Sequence, residues 1–76
     1  MTKKEFLRAV EETIGANKDS IRVDQSLKSL DGWDSMATVA FIAMSDERLR
    51  TLVEPANLAA CKTVSDLMAL FPGKIS

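Results

Sequence analysis

This sequence predicts an all-α protein, a small four-helix bundle with a long loop between the first two helices and a short third helix. Three observations carry that expectation. Apolar residues recur at helical spacing in separate blocks, those blocks open on capping residues and close on Gly or Pro, and no stretch alternates with the period of a strand. The 76 residues make a single domain over 1–76. A chain this short buries only about 60% of the surface its unfolded form exposes, so every apolar block has to contribute to one core.

The first helix is expected from Lys3 to Ile14. Thr2 and Glu5 have capping-box spacing, in which each side chain bonds the other residue's free N–H. Phe6, Leu7, Val10 and Ile14 then share a face, and Gly15 offers the left-handed conformation that ends many helices. From Ala16 to Trp33 the sequence turns polar, yet Ile21, Val23, Leu27 and Leu30 recur through it. They predict a loop pinned to the core, with a short extra turn around 25–30.

The second helix should open at Asp34 or Ser35 and close near Leu49 or Arg50. Pro55 suits the first position of a short third helix running through Cys61. Thr63-Val64-Ser65-Asp66 is a second cap, opening a fourth helix with Val64, Leu67, Leu70 and Phe71. Pro72-Gly73 ends it, and frayed residues are expected beyond.

Composition excludes several functions. The net charge is −1, without the basic excess or stripe of a nucleic-acid binder. There is no histidine and one cysteine, Cys61, so Cys/His metal sites, Ser-His or Cys-His catalytic pairs and an internal disulfide are ruled out. No metal and no catalytic residue is therefore assigned, and no enzyme is expected. The N-terminal residues lack the long apolar run of a signal peptide or membrane span, so a cytoplasmic monomer that avoids membranes is the expectation.

The second helix is apolar on too many sides. Thr38, Phe41, Ile42, Ser45 and Leu49 form one arc; Met36, Val39, Ala40 and Ala43 form another that ends at Glu47 and is bordered by Asp46. A helix needs one apolar stripe to join a core. The arc with the bulky Phe and Ile is assigned inward, and the arc of small or flexible residues outward, unless a central helix buries both. Between Ser29 and Glu47 there are four acids (Asp31, Asp34, Asp46, Glu47) and no base. An apolar strip with an acidic margin suits a partner groove rimmed by Arg or Lys.

Asp34-Ser35 alone is a good helix start and nothing more. It also sets a hydroxyl at the positive end of a helix, where free N–H groups favour a phosphate ester. Asp34-Ser35-Met36 after a long pinned loop, with Thr63-Val64-Ser65-Asp66-Leu67 downstream, resembles the acyl carrier protein family. That family places Asp-Ser-Leu at the start of its second helix and Thr-Val-x-Asp-Leu at its last.

The resemblance spans the chain from the first helix to Phe71. It implies a 4′-phosphopantetheine arm on Ser35, transferred from coenzyme A by a phosphopantetheinyl transferase, with Asp34 beside it. It further implies that Met36, Val39, Ala40, Ala43, Asp46 and Glu47 are read by acyl-loading and acyl-transferring enzymes.

This chain departs from the family at Asp46-Glu47-Arg48-Leu49-Arg50, less acidic than usual and without the common glycine, and at Trp33, which anchors the loop or flanks the arm. These departures suggest a specialised biosynthetic pathway. An aminoacyl or peptidyl carrier uses the same fold and serine. An unmodified helical adaptor that binds through the second helix is the reading from another class.

Overall fold

The computed structural model describes all 76 residues. Helix α1 covers Lys3–Ile14, α2 Ser35–Leu49, α3 Pro55–Ala59 and α4 Val64–Met68, with a 3₁₀ turn at Leu27–Ser29 inside the long loop. This is the expected small helical bundle, with no strand and a single bridge between Ser26 and Thr63.

Capping fixes most helix ends. Thr2 and Glu5 form a reciprocal box on α1, which stops at Gly15 in the left-handed conformation (φ 72°). Thr63 and Asp66 form a second box on α4, and Asp66 Oδ2 accepts the backbone N–H groups of Lys62 and Thr63. Those bonds favour the ionised form and hold the Asp66 carboxyl below the usual carboxylate range. Arg50 ends α2 with φ 51°, where a Cβ crowds the following carbonyl and costs about 1–2 kcal/mol. Glycine would take this conformation without that cost. Here the turn is secured by Lys74, whose Nζ donates to Leu49 O (2.9 Å) and Thr51 Oγ1 (2.9 Å).

The core joins Phe6 and Val10 of α1, Phe41 and Leu49 of α2, Leu58 of α3, and Val64, Leu67 and Phe71 at the C-terminal end. Phe6, Phe41 and Phe71 meet pairwise at ring-centroid distances of 5.9–6.1 Å. Trp33 packs edge-on against Phe41 at 5.8 Å, so it does anchor the loop.

The long loop is held from two sides. Glu11, 3% exposed, accepts the N–H groups of Ser20 (2.9 Å) and Ile21 (3.2 Å) on one carboxylate oxygen. On the opposite side, Leu27 N–H donates to Lys62 O, while Val64 and Ser65 N–H donate to Gln25 O and Val23 O. Gly32 then brings the loop against the end of α1. Its φ is +89°, and a Cβ there would lie 2.6 Å from Ile14 O. The loop thus arrives at α2 in one fixed path.

Four local expectations are corrected. Val23 is exposed because its carbonyl, rather than its side chain, fastens the loop to α4. Helix α3 stops at Ala59, before Cys61, because the chain must turn back for Lys62 to pair with Leu27. Helix α4 stops at Met68, and tighter i→i+3 bonds carry Phe71 into the core. The C-terminus is not frayed: Ser76 N–H donates to Met1 O (2.9 Å) and Lys3 N–H to Ser76 O (3.1 Å).

Candidate functional site

The site begins with the cap of α2. Asp34 has extended backbone, and its Oδ1 accepts the Ala37 N–H at 2.9 Å while its carbonyl accepts the Thr38 N–H at 3.0 Å. Thr38 in turn donates its hydroxyl to Ser35 O at 2.7 Å. The backbone around Ser35 is therefore fixed on both sides, whereas Ser35 Oγ enters none of the protein's hydrogen bonds and is exposed. The N–H groups of Ser35 and Met36 also lack acceptors within the chain, as the first donors of a helix do.

A phosphate ester on Ser35 fits these surroundings. It would meet two free backbone donors at the positive end of a 15-residue helix. Asp34 caps through the Ala37 N–H and so leaves the Ser35 and Met36 N–H groups to the phosphate. Asp34 commits one carboxylate oxygen to the cap, the chain has no histidine, and no side chain hydrogen-bonds the Ser35 hydroxyl.

Behind Ser35, α2 divides much as its sequence predicts. Phe41, Ser45 and Leu49 are buried, and Ile42 and Thr38 are half-buried. Ala37 completes the inner stripe, a position that neither arc of the sequence reading includes. The buried Ser45 hydroxyl is satisfied by donating to Phe41 O at 2.8 Å. The opposite face carries Met36 (80% exposed) and Val39 (67% exposed), with Ala40, Ala43, Asp46 and Glu47 also exposed. All six residues assigned outward lie on this one open face, so α2 is not buried all round.

Two positioning residues escape simple pattern reading. Glu11 lies between Leu7 and Ile14 on the apolar side of α1, and a charge inside an apolar stripe is its available signal. Lys74 reaches the end of α2 from 25 residues away and leaves no local signal. Cys61 is half-buried; burial first, and then the Asp66 carboxylate, push its thiol pKa up, which makes it a poor nucleophile.

The family model described as "phosphopantetheine attachment site" matches residues 4–71. The chain belongs to this family. It is a phosphopantetheine carrier, of the class that bears 4′-phosphopantetheine covalently and works with a phosphopantetheinyl transferase and acyl-handling enzymes. No curated protein and no solved structure matches the carrier's sequence or fold. No helix of the carrier is long and apolar enough to cross a membrane.

Proposed function

We propose that this carrier is an acyl carrier protein, a single domain over 1–76 that acts as a cytoplasmic monomer and is modified at Ser35. The observation that carries the reading is the Ser35 hydroxyl: exposed, free of internal hydrogen bonds, and fixed at the N-terminus of α2 by Asp34 and Thr38. A separate transferase would use this oxygen to displace the adenosine 3′,5′-bisphosphate half of coenzyme A. An O–P bond forms at Ser35 as the pyrophosphate P–O bond breaks, and the hydroxyl proton passes to a base on the transferase. When bound, the arm supplies a thiol that holds the cargo as a thioester.

The carrier's own residues then present that arm. Met36, Val39, Ala40 and Ala43 offer an apolar strip beside the attachment point, and Asp46 and Glu47 give its far end a negative margin. Complementary apolar and basic groups on the loading and transferring enzymes would recognise this face. The chain performs no chemistry of its own. Its less acidic α2 end, Arg48 to Arg50, fits partners of a specialised biosynthetic pathway.

Incubation with coenzyme A and a broad-specificity phosphopantetheinyl transferase tests the assignment by intact mass. Wild type should gain one phosphopantetheine and Ser35→Ala none. No gain in wild type, or an equal gain in the variant, would refute the site and return the unmodified adaptor to favour.

A further inference from the structure

The position of Ser35 leaves two places for a bound acyl chain: folded back between the helices, or held outside. The interior at the Ser35 end is occupied by rings. Trp33 lies two residues before Ser35, is half-buried, and packs edge-on against Phe41 with centroids 5.8 Å apart and planes at 72°. Phe41 is fully buried and also meets Phe6 at 6.1 Å and Phe71 at 6.1 Å. It is the one ring that touches the other three. Each is drawn from a different part of the chain: the loop, α1, α2 and the C-terminal turn.

A chain entering the bundle beside Ser35 would have to part Trp33 from Phe41 and then move Phe41 off two further rings. The contacts of Phe41 with Trp33 and Phe6 are edge-to-face and that with Phe71 is tilted, and each adds to the burial that already holds the rings in place. The helices have little freedom to swing apart and make room. Glu11 and the carbonyls of residues 23 and 25 fix the loop that carries Trp33, and Lys74 ties the far end of α2 to the C-terminal turn. The main surface clefts do not provide a substitute. One lies along the loop between Asn17 and Gly32 and is lined mainly by polar groups, and one surrounds Met68 and Ile75; neither contains a residue of α2. A third lies between α1 and the far end of α2, touches α2 at Arg48 alone, and is lined by charged and polar side chains with no hydrophobic residue to receive an alkyl chain.

We propose that the Trp33–Phe41 pair is a plug that keeps the cargo out of the helical bundle, making this a carrier of short or polar acyl groups displayed in solvent. The inference rests on attachment at Ser35. It concerns specificity: a long alkyl chain would remain exposed to water and to other chains, whereas a short, hydroxylated or aminoacyl group loses nothing by staying outside. Met36 and Val39, exposed at the same end, give the arm an outer apolar surface to lie along.

Loading from acetyl- and octanoyl-coenzyme A, each confirmed by intact mass, allows a direct test. Hydroxylamine converts each thioester to a hydroxamate and a free thiol, and its rate reports whether the carbonyl is shielded. The expected result is that both cargoes are released within about twofold of the corresponding free acyl-pantetheine, with Trp33 fluorescence unchanged by chain length. Octanoyl release slowed tenfold, or a Trp33 emission shift specific to octanoyl, would overturn the plug.

Phe41→Ala opens the core and should slow octanoyl but not acetyl release by about tenfold. Trp33→Ala, at a half-buried position, should do the same and covers the case in which Phe41→Ala does not fold. If a folded variant releases octanoyl at the wild-type rate, the ring pair is not what excludes the chain. Absence of any mass gain at the loading step would instead overturn attachment itself, and the plug with it.

Discussion

Replacing Glu11 with leucine should free the long loop from α1 and lower the stability of the whole domain. Glu11 is 3% exposed, and its Oε2 accepts the N–H groups of Ser20 and Ile21 at 2.9 and 3.2 Å. Hydrogen bonds to a charged group contribute about 1.5–3 kcal/mol each. Ser20 is exposed and can turn its N–H to water, but Ile21 is buried and cannot. Leucine fills nearly the same volume, so no cavity forms; what remains is one buried donor without a partner and one weakened contact.

The expected loss is about 3 kcal/mol, reduced by whatever desolvation the carboxylate no longer suffers. For a domain of this size each kcal/mol moves Tm by about 4–8 °C, giving a fall of roughly 12–24 °C. Glu11→Gln is the control: its carbonyl oxygen can occupy the Oε2 position and keep both bonds without the charge, for a loss of about 1 kcal/mol. Thermal unfolding measures the totals, and amide hydrogen exchange at Ile21 localises the effect. If the leucine variant melted within about 4 °C of wild type and Ile21 exchanged no faster, the aliphatic anchors Ile21, Leu27 and Leu30 would be holding the loop unaided, and the reasoning would fail.

Two further outcomes follow from the cap of α4 and the face of α2. Because the Asp66 carboxyl is held low in the folded state, its contribution is present above the unfolded carboxylate range and is lost as pH falls through the depressed folded value. Urea midpoints of Asp66→Asn should therefore lose less than wild type between neutral and acid pH; parallel curves would count against the capping bonds as the cause. Asp46→Lys with Glu47→Lys should leave the melting temperature near that of wild type, since both residues are exposed, yet slow modification by the transferase several-fold at low salt. Equal rates at all salt concentrations would remove the acidic margin from partner recognition.

Local signals made most of the fold legible in the sequence. The Thr2–Glu5 and Thr63–Asp66 boxes, Gly15 and Pro55 each act within a few residues, so they place the helix starts and the end of α1 without knowledge of the rest. The two faces of α2 were legible for the same reason, because Phe41 and Met36 differ in bulk and lie on opposite sides of one helix. What stayed hidden depends on distant pairings. Val23 looks like an anchor, but it is the carbonyl of that residue that does the fastening. The ends of α3 and α4 are set by the bond from Leu27 to Lys62 and by the route of Phe71 to Phe6, neither of which leaves a mark on the local sequence. Ser76 follows a Pro-Gly break and reads as loose, yet it is paired with Met1. At the site, the triplet Asp34-Ser35-Met36 was visible, whereas the freedom of the Ser35 oxygen among so many engaged neighbours was not.

Helix α2 is gripped at both ends by side chains: Asp34 closes its first turn and Lys74 reaches across from the C-terminal turn to close its last. Much of the disorder that a docking surface ordinarily gives up on binding is thus already lost when the domain folds. A partner meeting Met36, Val39 and Ala43 need not fix the helix that carries them, so even a small contact area can yield useful affinity. For a carrier that works with a transferase and with acyl-handling enzymes, rigidity of this kind would permit brief encounters that are nevertheless selective.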